Sequence, residues 1–327
     1  MGRQRYEPEF PKPFDFVEFA DKVDKSQRPG HEAFHGLAGE LAYTLTVKTP
    51  LHISSGNYAL TEDLGLQAKN VVRDLYKVTV NGQKVPAIPG STLKGAARAI
   101  VEAVTASCIG VTRVSRRELP QEASRSCRPP QLCPACGLFG AMNRQSRLTF
   151  SDAVFTSGDA AIARMPAMYR PRPGQGRAYR DREQQFKGRK FYYHGKPQPH
   201  REGTYIEVLK PGTVLHGRIT FTGLDEAELG LLLFALGLDN SFQLALGGGK
   251  PVAMGRVVVT AVSLTLRQAG SFVNFDGGDE VKEGEALTEA IAGYIQQAES
   301  LILAEQRRQL QEILDPTNER PAPTGVY

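Results

Sequence analysis

Six segments of the chain carry clear hydrophobic periodicity, and their order limits the fold more than any single motif does. Leu41, Tyr43, Leu45 and Val47 alternate with small or polar residues, which predicts a strand over 41–47. The stretch Ile88-Pro-Gly-Ser-Thr-Leu-Lys-Gly-Ala-Ala-Arg98 predicts a helix over 91–105, in which Pro89 and Gly90 stop a preceding hairpin and Ser91 or Thr92 can cap. Strands are predicted over 148–155 and 213–222. Asp225 and Glu228 have capping-box spacing before the apolar run of a buried helix over 225–238. The β-branched run 256–266 closes the set as a strand.

The resulting order, βαββαβ, is the split-βαβ order of ferredoxin-like and RNA-recognition domains, an α+β fold. Such a core covers one face of its sheet with two helices and leaves the other open. Around a body over 39–270 the sequence predicts large insertions. Residues 1–38 form a polar, proline-bearing arm, extended and ordered by contact with the body or a neighbour, in which PFDFVEF spaces its aromatics by two. Residues 57–72 show no sustained period and read as a loop, and 77–88 read as a hairpin turning at Asn81-Gly82. Insertions over 107–147 and 157–205 follow the first helix and the second strand segment. Residues 271–327 comprise an acidic link, an amphipathic helix from Leu287 to about Leu314, and a tail. No apolar run approaches a membrane span and the N-terminus has no secretory h-region, so a cytoplasmic protein is expected. The net charge of +5 leans mildly toward an acidic partner.

Three features can carry chemistry. Cys108, Cys127, Cys133 and Cys136 are the only cysteines, and Cys133-Pro-Ala-Cys136 is a C-x2-C knuckle, the pairing that lets two thiolates hold one metal ion. A four-thiolate structural zinc site explains them better than free thiols or a redox pair. It leaves no coordination position open for catalysis and staples a loop that lacks its own core. In the first helix, Lys94 and Arg98 are spaced i, i+4, so both can point at one polyanion, and Gly95 removes a side chain where a backbone needs to come close. A capped helix with solvated bases is the plainer alternative. Third, Arg164, Arg170, Arg172, Arg177, Arg180, Lys187, Arg189 and Lys190 are interleaved with Tyr169, Tyr179, Phe186, Phe191, Tyr192 and Tyr193, a mixture suited to phosphates and unpaired bases, or to a solvated charged loop. Gly247-Gly248-Gly249-Lys250 is not a Walker loop, since Pro251 stands where Ser or Thr is needed; it is a flexible turn or a place of close backbone approach. His52 ends a strand beside Ser54 and Ser55, within reach of RNA, and no Ser-His-Asp or paired-carboxylate arrangement stands out.

Taken together and in order, TPLHISSG, NVVRD, IPGSTLKGAAR, CPACGLFG, SRLTFSDA, GTVLHGRITF and LGGGKPVAMGRV resemble the RAMP superfamily of CRISPR proteins, over about residues 39–266. The cysteine insertion followed by LFG and SRLTFSDA looks most like the backbone subunits of type III effector complexes. That resemblance implies a palm with a projecting thumb within 157–205, stacked as a filament along guide RNA with other effector subunits. It implies guide contacts at Lys94, Arg98, Lys250 and Arg256, with Arg73 as a further candidate. Cleaving members of the family carry an aspartate in an Asp-x-Pro-Val-x-Arg-Asp pattern. Here, ahead of Val71-Val-Arg-Asp74, the aspartate position is Ala68 and the proline position Asn70. The resemblance therefore implies a subunit that holds guide and target RNA without strong nuclease activity. Asp63 is the one residue to test as a shifted catalytic carboxylate, with Mg²⁺ or Mn²⁺ needed only in that case. The arm and the C-terminal helix depart from a minimal backbone subunit and point to a specialised one, of the type III-D kind. A guide-processing RNase with His52 as general base, and a zinc-stapled protein-binding domain without RNA, are the competing readings.

Overall fold

The computed structural model describes residues 12–28, 30, 31, 35–62, 71–110, 112, 114–168, 179–181, 184–268 and 279–322. The chain opens with β1 (Phe14–Glu18) and β2 (Ser26–Gln27), then crosses the molecule in β3 (Leu37–Val47). β4 (Ser54–Leu60) and β5 (Val71–Leu75) lead to the hairpin of β6 (Lys77–Val80) and β7 (Gln83–Ile88), and α1 (Gly90–Val104) follows. The cysteine-bearing stretch holds α2 (Gln121–Ser124), β8 (Gln131–Leu132) and α3 (Pro134–Phe139). Next come β9 (Leu148–Phe150), β10 (Ala153–Ser157), β11 (Ala160–Met165), β12 (Gly188–Tyr192), β13 (Thr204–Leu209) and β14 (Val214–Leu224). α4 (Glu226–Ala235), β15 (Leu244–Ala245), β16 (Arg256–Gln268), β17 (Glu280–Lys282), α5 (Gly284–Ala298) and α6 (Ala304–Ile313) complete it.

The fold is mixed α/β, built on one large curled sheet. At its centre β3 lies between β16 and β14, and β14 in turn pairs with β9 and β10, every pairing antiparallel. The alternation read in the sequence becomes register here. Leu45 lies opposite Leu215 and Val259, and Leu41 opposite Ile219 and Leu264, all on the buried face. Against that face pack Leu93, Ala97, Ile100 and Val101 of α1 and the leucine run of α4, each leucine, isoleucine or valine contributing roughly 1.5–3 kcal/mol when fully buried. α4 is buried on all sides because α5 covers it. Gly230 makes that approach possible, since a Cβ there would lie 1.8 Å from the Tyr294 carbonyl oxygen. A second sheet, in the order β11-β13-β5-β4, stands beside the first. Residues 12–28 of the arm meet the body: β1 pairs with β12, and β2 with β8.

Several local expectations change. Of the expected loop 57–72, residues 57–60 belong to strand β4, which is too exposed on both faces to show an alternating pattern, and 71–72 open β5. Residues 148–155 divide at Ser151 and Asp152 into β9 and β10. The C-terminal helix is two helices, α5 and α6. The Leu303 N–H donates to the Val104 carbonyl at 2.8 Å and Ile302 bridges to Thr105, so the end of α1 captures backbone groups that a continuous helix would use. Neither Ser91 nor Thr92 caps α1. Instead the Asp152 carboxylate accepts the Gly90 N–H at 2.9 Å and the Tyr76 hydroxyl at 3.0 Å.

The predicted capping box of α4 is present, and Glu228 does more than close it. Its carboxylate, with the side chain 5 % exposed, accepts from Arg28 at 2.7 Å and from Arg147 at 2.8 Å. Burial alone would raise its pKa, but Arg147 and Arg28 outweigh that and hold it below the usual glutamate value. The carboxylate's contribution is therefore complete at neutral pH and is lost as pH falls through its lowered folded pKa. Glu228→Ala leaves two buried guanidinium groups unpaired and should cost about 3–5 kcal/mol in denaturant unfolding, with a flattened acid limb in the stability profile.

Candidate metal centre and nucleic-acid interface

The chain brings the four cysteines together. Cys108 follows the end of α1, Cys127 precedes β8, Cys133 is the N-cap residue of α3 and Cys136 lies within that helix. All four are buried, and their sulfurs lie within 4.8 Å of one another. Cys108 Sγ is 3.6 Å from both Cys127 Sγ and Cys136 Sγ, and 3.7 Å from Cys133 Sγ. A tetrahedron with Zn–S bonds of about 2.3 Å has edges of about 3.8 Å, so the spacing fits a four-thiolate ion site and is compatible with zinc. The Cys133 N–H donates to Cys127 Sγ at 3.3 Å. Hydrogen bonds among the sulfurs draw the Cys133 thiol far down and Cys127 down to about 7, while Cys108 and Cys136 are pushed up. Thiolate is the form of cysteine that binds metal. When bound, an ion held by four thiolates cross-links the insertion and has no open position for a substrate.

A cleft of about 510 Å³ is lined by α1, the helix whose end leads into Cys108. Ser91, Thr92 and Gly95 of α1 form one wall, Lys190 to Tyr192 of β12 another, and Leu244 to Gly247 with Lys250 the third. Six residues singled out in the sequence therefore meet: Ser91, Thr92, Gly95, Lys190, Gly247 and Lys250. Gly95 is the informative one. A Cβ at this exposed mid-helix position would meet nothing within 4 Å, so no packing demand of the chain explains the glycine. Glycine in a helix interior costs roughly 0.5–1 kcal/mol against alanine. Gly247 and Gly249, by contrast, are required by the backbone: both have positive φ, and a Cβ would strike the His52 carbonyl or Met254.

The cations are mostly committed within the chain. Lys94 Nζ donates to the Leu148 carbonyl at 2.9 Å, and Lys250 Nζ to that of Gly247 at 2.7 Å, with burial lowering the pKa of both. Arg98 turns inward: its Nε donates to Glu102 at 2.7 Å and its Nη2 lies 3.9 Å from Cys136 Sγ. Arg256 donates to the Pro316 carbonyl at 3.1 Å, outside the cleft. Arg189 pairs with Glu102. Arg180 pairs with Glu118 and stacks 4.9 Å over the Phe186 ring, and Lys187 is exposed. Lys190 remains on the cleft wall, with Nζ 3.8 Å from the Phe14 ring centroid and 4.6 Å from that of Tyr192. Burial, with Lys12 nearby, lowers its pKa to about 8. Asp63, Arg170, Arg172 and Arg177 lie outside the described residues.

His52 is 2 % exposed and braces the glycine loop from behind. Its carbonyl accepts the Gly248 N–H at 2.9 Å, and its Nδ1 lies 2.7 Å from the Glu207 carbonyl oxygen. A carbonyl only accepts, so Nδ1 carries the proton and Nε2, buried, has no partner among the described residues. Burial lowers its pKa and keeps the ring neutral. Arg73 is exposed on β5, opposite Tyr58, away from the cleft lining.

A family model described as the RAMP superfamily matches residues 44–258. The chain belongs to the RAMP superfamily. The RAMP match contains all four cysteines, α1, β12 and the glycine loop, and stops short of α5 and α6. A search of curated proteins returned no match. Membership fits a CRISPR-associated function with RNA and complex subunits as partners. No helix among the described residues is long and apolar enough to cross a membrane.

Sequence reasoning missed three residues that set the site: Asp152 at the start of α1, Glu102 between two arginines, and Phe14 against Lys190. Only Phe14 carried a local signal, the two-residue spacing of PFDFVEF. Metal analysis of the purified chain should find about one zinc per molecule. Cys133→Ser should lose it and lower the thermal midpoint: the insertion, expected to lack a core of its own, buries Leu132, Ala135, Leu138 and Phe139 around the sulfurs, and the ion ties that cluster to Cys108 at the end of α1.

Proposed function

We propose that this RAMP protein is a guide-RNA-binding backbone subunit of a type III RNA-guided effector complex, holding guide and target RNA rather than cutting them. Its palm is a ferredoxin-like βαββαβ core, a reading supported by the antiparallel neighbours β16, β3, β14 and the pair β9 and β10, with α1 and α4 on the buried side. Structural zinc staples the insertion. The guide backbone runs through the cleft between α1, the glycine loop and β12.

The observation that carries this reading is Gly95, a glycine that the chain's own packing does not need, on the wall of a cleft that also holds a glycine loop and a ringed lysine. A sugar–phosphate strand is a ligand that calls for such close backbone approach. Lys94 and Lys250 support the cleft by pinning the strand and loop around it, and ordered N–H groups and Lys190 supply the positive field. The arm, through β1, and the helices α5 and α6 suit a specialised subunit of the type III-D kind.

The test uses the chain purified with its complex. Sequencing of copurified RNA should return a single repeat-derived species, and a random mixture counts against the reading. Gly95→Ala should raise the stability of the free chain by roughly 0.5–1 kcal/mol while weakening RNA binding severalfold. A variant that is more stable and binds as tightly as the parent would remove the cleft from the RNA path.

A further inference from the structure

β12 is the cleft wall that lies outside the large sheet. Among the described residues its one strand partner is β1, and the two form a two-stranded sheet separate from the large one. Phe191 of β12 packs against the core that includes α1, and beside that packing β12 is tied to α1 by charge. Arg189 of β12 pairs with one oxygen of Glu102, whose other oxygen accepts from Arg98 Nε at 2.7 Å. Arg98 in turn donates through Nη1 to the Gly140 carbonyl at 3.2 Å and presents Nη2 to Cys136 Sγ at 3.9 Å. The carboxylate is 3 % exposed, and the arginine side chains are 24 % and 20 % exposed. Gly110, two residues past Cys108, seals the group: a Cβ there would lie 2.3 Å from Arg98 Nη2 and 2.7 Å from Glu102 Oε1.

We propose that Glu102 couples the metal centre to the cleft, so that metal occupancy sets the position of β12 and through it the grip on RNA. Four thiolates around a divalent ion carry a net charge of about −2. That charge and the ordered Gly140 carbonyl hold Arg98 in place. Arg98 then fixes one oxygen of Glu102 and leaves the other for Arg189. Without the ion the insertion loses its cross-link, Cys136 and the Gly140 carbonyl are no longer held in place, and Arg98 loses both anchors. Two arginines then share one unanchored carboxylate in a poorly solvated site, and β12 moves with Arg189. Glu102 acts as a positioning residue: it touches neither metal nor cleft. The RNA part of the statement rests on the function proposed above; the motion of β12 does not.

Hydrogen–deuterium exchange of the 188–192 amides reads the coupling without RNA. In the wild-type chain, removing the metal by chelation should speed their exchange about fivefold or more, the size of an ordinary coupling between sites. In Glu102→Gln the metal stays bound at the wild-type stoichiometry, exchange is already fast, and chelation adds nothing further. Arg189→Gln, which leaves Glu102 paired with Arg98, should behave the same way and serves if Glu102→Gln does not fold. RNA affinity should fall in parallel in each variant. The proposal is overturned if chelation leaves the 188–192 amides unchanged in wild type, or if they respond equally in wild type and in the variants. A wild-type chain whose β12 answers to metal but binds no RNA would sink the RNA reading and leave the coupling standing.

Discussion

Helix α1 is held on three sides, and the position of its fourth follows from that fact. Leu93, Ala97, Ile100 and Val101 bury one stripe against the central strands. Asp152 takes the first N–H, Lys94 is tied to β9 through the Leu148 carbonyl, and Arg98 with Glu102 ties the helix to the cysteines and to β12. With three sides fixed, the helix can present only Ser91, Thr92, Gly95 and their neighbours to open space. The cleft is therefore a consequence of how α1 is held rather than of loops that close over it. A rigid helix edge is a better place for a precise contact than a loop, because its rotation cannot drift.

Much of the core was legible because burial on one face leaves a period in the sequence. Leu41, Tyr43, Leu45 and Val47 declare β3, and Asp225 with Glu228 declares the start of α4; both are found where the pattern puts them. β4 was not legible, since residues exposed on both faces are under no pressure to alternate. The break between α5 and α6 has no glycine or proline to mark it, because the cause is the distant carbonyl of Val104. The four cysteines were legible as a set from their spacing. The arginine that faces them was not, because Arg98 reads in isolation as one of two solvent-facing cations at helical spacing.

That last case changes how the basic residues of the chain are understood. Counting lysines and arginines suggested a row of phosphate contacts, yet Lys94, Lys250 and Arg256 donate to carbonyls, and Arg98, Arg180 and Arg189 answer carboxylates. A cation already bonded within the chain gains less from a phosphate, because the first bond has to be given up or shared. The residues that distinguish the cleft are therefore those that remove obstruction. Gly95 has empty space above it and Gly248 only ordinary contacts, whereas Gly247 and Gly249 are explained by their own backbone. In this chain the positive charge shapes the cleft from behind, and the absent side chains define what can enter it.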